Sequence, residues 1–399
     1  MKDVLSKLRR MDWVLSACMV SLIVMGVVFI NSAGAVRPTD ALRNLWRVHA
    51  TTALFGLAVY AAFAFLDYRK LLDWAALPAF ALSCVLLVIV LFAGTYHFGG
   101  RRWLWFFQPS EISKLPVILF AAHVFAAPDR TDFRSFLAGV AIIGGPALLV
   151  LAEPDLGTAL VLVACGIVIL LAARVWLKGL ITLLAVSLLA AGLILWAVHH
   201  AESLPDSESR AEIYRYVPLH DHQIKRLRVF LLPEIDRTGA GYNLRQAQIA
   251  VGSGGTWGKG LRKGTQKILE NLPASVSMND FIFAVLAEES GFMGVLLMLA
   301  LFLGIIGPGL RIAVQCTDDR GRLVVIGILT LIFCHLYVNV AMSVGLAPIT
   351  GLPLPFISNG RTFLIVLMAA LGIVQSVAIH RDADENARKA EDPPDLPPI

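Results

Sequence analysis

Asp280 is the residue of this sequence best placed to do chemistry, because it stands in Asn279-Asp280-Phe281, where a polar stretch ends and a long apolar run begins. A carboxylate at the edge of a bilayer loses part of its water. Its pKa therefore rises toward the range of a general base unless a nearby cation opposes the shift. Glu288 follows at i+8, on nearly the same helical face, so both side chains are predicted to line one stripe that faces a cavity, a substrate or a buried partner.

A second group of ionisable residues follows Arg102, where Pro109-Ser110-Glu111 is typical of a helix start. Glu111 would lie near the positive end of the helix dipole, with Lys114 one turn further on and close enough to pair with it. Two interpretations remain open. Glu111 and Lys114 could form an ion pair at the membrane interface with no role beyond neutralising each other's charge. Alternatively, Arg102 and Lys114 could bind an anion there.

A third group is Glu153-Pro154-Asp155, a short acidic connection between two apolar runs. Such a sequence is often a turn followed by a helix cap. Its carboxylates could instead orient a basic partner or hold a divalent cation such as Mg or Mn, for which Asp155 and Glu111 are the candidate ligands.

The long polar stretch of roughly 199–280 carries a basic segment that includes Arg226, followed by many glycines. Mixed cations and apolar residues suit a helix lying at the membrane interface, where Arg226 could reach phosphate groups. The glycines would let backbone amides approach a ligand closely, although a flexible linker would have the same composition.

The composition predicts an all-α polytopic membrane protein, since 57% of the residues are hydrophobic and only 16% are charged. Apolar runs long enough to cross a bilayer, about ten helices, lie near 13–33, 45–66, 74–93, 112–127, 134–152, 158–173, 177–198, 281–308, 323–347 and 360–380. We expect one integral membrane domain over 1–380, with 199–280 as a large extracytoplasmic loop between helices 7 and 8, and a disordered cytoplasmic tail over 381–399.

Basic residues predict the orientation, because they are concentrated on the short segments that share a side with the N-terminus. We therefore expect both termini in the cytoplasm and the long loop outside. The five cysteines show no paired spacing, and no nucleotide-binding motif is present, so neither a disulfide framework nor a nucleotide cofactor is predicted. The net charge of +5 is spread among loops and suits an anionic lipid or substrate, not nucleic acid.

Several short motifs run in order along the chain. They are Phe107-Gln108-Pro109-Ser110-Glu111, Pro154-Asp155-Leu156-Gly157-Thr158, Gly241-Tyr242, Gly252-Ser253-Gly254-Gly255, Gly258-Lys259-Gly260, Gly264-Thr265-Gln266, Asp280-Phe281-Ile282-Phe283-Ala284, Ala287-Glu288-Glu289 and Thr350-Gly351-Leu352-Pro353-Leu354-Pro355-Phe356-Ile357-Ser358. Their order and spacing resemble those of the SEDS family, the RodA and FtsW proteins that make bacterial peptidoglycan, and the Gly-Ser-Gly-Gly, Gly-Lys-Gly and Gly-Thr-Gln motifs resemble the RodA branch most. The chain departs from the family pattern at 103–108, at 274–279 and in Ser358-Asn359-Gly360-Arg361-Thr362.

The resemblance implies a glycosyltransferase of the bacterial inner membrane that polymerises lipid II into glycan strands during cell elongation. Asp280 would be the general base and reaction would invert the donor anomeric carbon, while Arg102, Lys114 and Arg226 would bind the diphosphate, with Glu111, Asp155 and Glu288 nearby. A class B penicillin-binding protein and other elongation or division proteins would be partners. The alternatives are a flippase for lipid-linked precursors and a non-catalytic scaffold of a cell-wall complex.

Overall fold

The computed structural model describes residues 2–391, apart from 36–38, 98–99, 106, 128–131, 205, 237, 270 and 274–276. Within these residues every predicted span is a helix. The spanning helices are α2 (Trp13–Gly34), α4 (Leu45–Phe65), α5 (Tyr68–Ala93), α6 (Pro109–Phe125), α7 (Phe133–Ala152), α8 (Leu156–Ala172), α9 (Leu177–Ser203), α14 (Ile282–Gln315), α15 (Asp319–Ser343) and α16 (Arg361–Glu391). Eight are long and apolar enough to cross a membrane, whereas α6 and α8 are shorter, at 17 residues each. The all-α polytopic prediction is confirmed.

Shorter elements fill the connections. They are α1 (Lys2–Arg10), α3 (Asp40–Arg43), the hairpin of β1 (Thr95–His97) with β2 (Gly100–Trp103), then α10 (Ser207–Tyr216), α11 (Asp221–Leu231), a 3-10 turn (Pro233–Ile235), α12 (Ala240–Ser253) and α13 (Thr265–Ile268). The hairpin strands are antiparallel, with Thr95 opposite Trp103 and a register irregularity after Thr95. The loop helix α12 packs its apolar face, including Leu244 and Ala247, against Phe281 and Ala284.

The two chain ends lie at the same face of the helix bundle. The backbone N–H of Asp12 donates to Gln375 Oε1 at 2.9 Å, and Arg10 Nη1 donates to the carbonyl of Ile379 at 3.4 Å. An even number of passes produces this arrangement. The connections that follow α2, α5, α7, α9 and α15 therefore all lie at the opposite face, which we call the loop face.

Two boundaries differ from the sequence prediction. Helix α9 continues to Ser203, so the large loop begins after residue 203 instead of at 199. The last helix continues past His380 to Glu391, into the segment predicted to be a disordered tail. Alanines and charged residues with good helix propensity follow His380 without a glycine or proline, so nothing stops the helix there. Residues 392–399 of that tail lie outside the described residues.

Helix α14 is broken near its start. Gly291 has φ 66° and ψ −165°, a conformation that favours glycine and interrupts the helix. The break separates a short first segment, 282–290, from the long remainder of the helix. Asp280 immediately precedes this first segment, so its position depends on how the segment is held.

Candidate active site

Asp280 is half-buried in the turn before α14, and its backbone is held from two sides. Asn339, on α15, donates from Nδ2 to the carbonyl of Asp280 at 3.0 Å and to the carbonyl of Leu352 at 2.8 Å. The hydroxyl of Ser358 donates to the carbonyl of Asn279 at 2.6 Å. Among the described residues the carboxylate itself has no hydrogen bond, so it is available to a substrate. Burial raises its pKa to about 6, against the opposing charge of Arg226.

Arg226 faces the same small volume as Asp280. The guanidinium is held by a hydrogen bond from Nη1 to the carbonyl of Thr350 at 2.7 Å. A Cβ added at Gly351 would lie 3.8 Å from Asp280 Oδ2 and 3.9 Å from Arg226 Nη2. Gly351 has φ +77° and no side chain, so the backbone makes its turn here while leaving the space between the two charged groups open.

Arg102 completes a cationic wall beside this volume. Its Nε donates to the carbonyl of Glu153 at 3.1 Å, and its Nη2 donates to the carbonyl of Pro154. Burial and the charge of Arg102 lower the pKa of Arg226, while Asp280 and Asp155 raise it. An arginine keeps its proton under such shifts, so two positive charges stand beside Asp280. The structure thus brings together Asp280, Arg226, Arg102 and Asp155, which lie in three different connections of the chain.

Glu153 is a carboxylic acid without a partner next to this cluster. The side chain is fully buried, and neither carboxyl oxygen has a hydrogen bond in the described part of the chain. Burial, and then the charge of Asp155, raise the pKa of Glu153 to about 9, with Arg102 opposing the shift. The group is therefore neutral at neutral pH.

We expect replacement of Glu153 by glutamine to raise the melting temperature by a few degrees at pH 8. The unfolded chain releases this proton near the ordinary pKa of 4.5 and the folded chain only near 9, so stability falls as pH rises between these values. Glutamine has the same shape and no proton to retain. Thermal unfolding in detergent at pH 5 and pH 8 checks this, and an equal gain at both values would contradict it.

Glu111 and Lys114 form a buried pair below the cluster. Lys114 Nζ lies 2.8 Å from Glu111 Oε1 and 3.0 Å from His335 Nε2, and His335 Nδ1 lies 3.2 Å from the carbonyl of Pro353. Lys114 also stands 4.8 Å from the ring centroid of Phe363. Lys114 is fully buried in this arrangement, so its contacts favour support of the site from below over a direct contact with an anion.

The predicted cation ligands are already occupied by protein groups. Asp155 caps α8, accepting from the N–H of Thr158 and from Gln108 Nε2, both at 3.1 Å. Glu111 Oε1 accepts from Lys114, and only Oε2 is without a partner. In the described residues no three His, Cys, Asp or Glu side chains converge on one point. The donor set does not fit a Mg or Mn site formed by Glu111 and Asp155.

Glu288 lies outside the cluster around Asp280, contrary to the single stripe predicted from their spacing. It is buried and binds Lys259 Nζ at 2.6 Å and the N–H groups of Thr265 and Gln266 at 2.7 and 3.2 Å. Its carboxylate is thus committed to the glycine-rich loop, and a contact with substrate through this group does not fit its surroundings.

Three supporting residues were not identified from the sequence: Asn339, His335 and Ser358. Asn339 and His335 are isolated polar residues within the apolar part of a helix. This pattern indicates buried polar contacts but does not identify their partners. Ser358 follows a loop with two prolines, and a serine in such a loop does not indicate which group it binds.

The fold and the cluster define an integral membrane protein with two acidic and two cationic side chains at the loop face, a class suited to anionic, membrane-borne molecules. The sequence model of the FtsW/RodA/SpoVE family of cell cycle proteins matches residues 12–383. The chain therefore belongs to this family, as the motifs predicted.

Characterised relatives are similar over most of their length. The peptidoglycan glycosyltransferase MrdB of Escherichia coli K12 is 39% identical over 337 residues, covering 82% of this chain and 83% of MrdB. Stage V sporulation protein E of Bacillus subtilis is 32% identical, covering 90% of this chain and 94% of that protein.

Solved structures have the same fold. A chain in a structure described as the structural coordination of polymerization and crosslinking by a peptidoglycan synthase complex superposes with a TM-score of 0.74 at 26% identity, covering 93% of this chain and 98% of that one. The rod shape determining protein RodA of Thermus thermophilus gives 0.63 at 23% identity, covering 93% and 97%.

Proposed function

We propose that this protein is a peptidoglycan glycosyltransferase that polymerises lipid II at the outer face of the bacterial cytoplasmic membrane, in cell elongation. The observation that carries the proposal is the pairing of Asp280, a carboxylate with no hydrogen bond among the described residues, with the guanidinium of Arg226 across the open space beside Gly351. A base and a diphosphate-binding cation are the two groups that this reaction requires.

In the proposed reaction, Asp280 accepts the proton of an acceptor sugar hydroxyl. The hydroxyl oxygen forms a bond to the anomeric carbon of the donor, and the bond from that carbon to the diphosphate oxygen breaks with its electron pair. Undecaprenyl diphosphate leaves as an anion that Arg226 and Arg102 stabilise. A single displacement with one essential carboxylate inverts the anomeric carbon, whereas retention uses a carboxylate as nucleophile.

Incubating purified protein with lipid II tests the proposal. We expect glycan strands from the wild type and none from the Asp280→Ala variant. A flippase would move lipid II between leaflets of a vesicle and form no strands in either case. A scaffold would form no strands either and would support cell growth with alanine at position 280, so each alternative has a distinct result.

The rate is expected to fall about tenfold for each pH unit below 6, because the base must be ionised to accept a proton. Burial raises the pKa of Asp280 to about 6, so at lower pH the protonated form prevails in the folded protein. Initial rates of polymerisation between pH 5 and 8, at saturating lipid II, check this limb. A rate that does not change between pH 5 and 8 would exclude Asp280 as the base.

We further propose that both termini are cytoplasmic and that a class B penicillin-binding protein crosslinks the strands made here. Two observations support the proposal. The site and the large loop lie at the loop face, opposite to both chain ends, and the chain is similar to one in a synthase complex. Co-purification with such a transpeptidase in mild detergent tests it, and loss of polymerisation without loss of binding in Asp280→Ala would separate partner contact from catalysis.

A further inference from the structure

The glycine-rich loop, residues 255–267, provides hydrogen-bond partners for backbone groups at the break in α14. In a regular helix the N–H groups of Phe292 and Met293 would donate to the carbonyls of Glu288 and Glu289. Instead they donate to the carbonyls of Gly255 and Thr256 at 2.8 and 3.0 Å. The two carbonyls left free accept from the N–H groups of Lys259 and Gly260 at 3.0 and 2.9 Å.

This exchange requires very close backbone contact. A Cβ added at Gly258 would lie 2.2 Å from the carbonyl oxygen of Glu289, and Gly258 and Gly260 both have positive φ, at +78° and +96°. These four backbone groups at the break are therefore satisfied by the loop, as a break in an apolar environment demands. The loop replaces two hydrogen bonds of the helix.

Side chains hold the same loop through a buried ionic network. Lys267 forms an ion pair with Glu289, and its Nζ donates to the hydroxyl and the carbonyl of Ser32 at 2.6 and 2.8 Å. The Ser32 hydroxyl in turn donates to Glu289 Oε2 at 2.6 Å. Lys267 and Ser32 are fully buried and Glu289 is 2% exposed, so this network connects the end of α2, the loop and the first segment of α14 out of contact with water.

We propose that this clasp, defined as loop 255–267 with Ser32, Glu288 and Glu289, positions Asp280 for catalysis by fixing the direction of segment 282–290. The inference rests on the proposed function, because that function makes Asp280 the base whose position the clasp determines. Lys267 and Glu289 are positioning residues in this account and do not touch the substrate. The pair Lys259 and Glu288 does the same one residue earlier on the helix.

Replacing Lys267 by methionine tests the clasp, because it leaves the Glu289 carboxylate buried without a cation. Removing one partner of a buried pair is strongly destabilising locally, so we expect kcat to fall by about 10-fold to 100-fold. The KM for lipid II should stay within about threefold, because Arg226 and Arg102 lie on other elements. Hydrogen exchange in segment 282–290 should rise in the same variant.

The double variant Lys267→Met with Glu289→Gln distinguishes positioning from contact with substrate. It removes the unbalanced charge and keeps an acceptor for Ser32, so both kcat and the exchange of 282–290 should return to within about threefold of the wild type. Lys263→Met is the matched control, since the Lys263 side chain is exposed and forms none of the clasp contacts named above, so this variant should give wild-type values. A double variant as slow as Lys267→Met, or one that fails to fold, overturns the proposal.

Asp280→Asn, measured in the same assay, separates the clasp from the proposed function. If that variant is inactive while Lys267→Met keeps wild-type kcat and hydrogen exchange, the positioning role of the clasp is wrong and the assignment of Asp280 as the base is retained. If Asp280→Asn polymerises lipid II at the wild-type rate, the base assignment fails, and the clasp then has no catalytic group to position.

Discussion

Replacing Asp280 by asparagine is expected to lower kcat for lipid II polymerisation by about 10³-fold, within the range for loss of a general base. The amide has the shape of the carboxylate but cannot accept the proton of the acceptor hydroxyl. The surrounding structure should persist, because Asn339 binds the backbone carbonyl of residue 280 and not its side chain. Removing a carboxylate from a half-buried position also removes its desolvation cost.

Single-turnover rates with labelled lipid II measure this effect, and a thermal unfolding curve at or above that of the wild type shows that the fold is intact. Glutamate at position 280 is the informative comparison, since it keeps the base and displaces it by one methylene. We expect it to retain part of the activity that asparagine loses. An asparagine variant with a tenth or more of the wild-type rate would show that another group takes the proton.

The membrane fold could be predicted from the sequence because each span is set by the length of one apolar run. The short runs near 112–127 and 158–173 could be recognised for the same reason, and they are α6 and α8, each of 17 residues. Helix ends were less certain, as α9 and α16 show. A helix continues into polar sequence until a glycine, a proline or a cap stops it, and hydropathy does not register that point.

The site could be predicted in part. Arg102, Arg226 and Asp280 are far apart in sequence, but each lies in a connection that membrane topology assigns to one face. Topology therefore allows them to meet, and the family resemblance implied one common site. Glu288 could not be placed in this way, because the i+8 rule describes an ideal helix surface and says nothing of a loop that binds the carboxylate. The break at Gly291 and the insertion of loop 255–260 depend on tertiary contacts that no local pattern records.

Replacing Arg226 by methionine is expected to lower kcat by about 10²-fold, in line with the loss of one fixed group that stabilises charge in a transition state. The diphosphate gains negative charge as its bond to the anomeric carbon breaks, and Arg226 is held at that place by the carbonyl of Thr350 at 2.7 Å. KM for lipid II should rise as well, because the ground-state diphosphate is already anionic. Steady-state kinetics on purified enzyme at fixed ionic strength give both values.

Lys225→Met is the matched control for this variant, because it removes one positive charge from the same helix. Lys225 lies 3.7 Å from Asp236 and its side chain is 63% exposed, so its loss should change kcat by less than about twofold. Arg226→Lys should fall between wild type and methionine, since an ammonium keeps the charge but not the planar fork of donors. Equal losses in Lys225→Met and Arg226→Met would mean that the net charge of α11 matters and that the position of the guanidinium beside Asp280 does not.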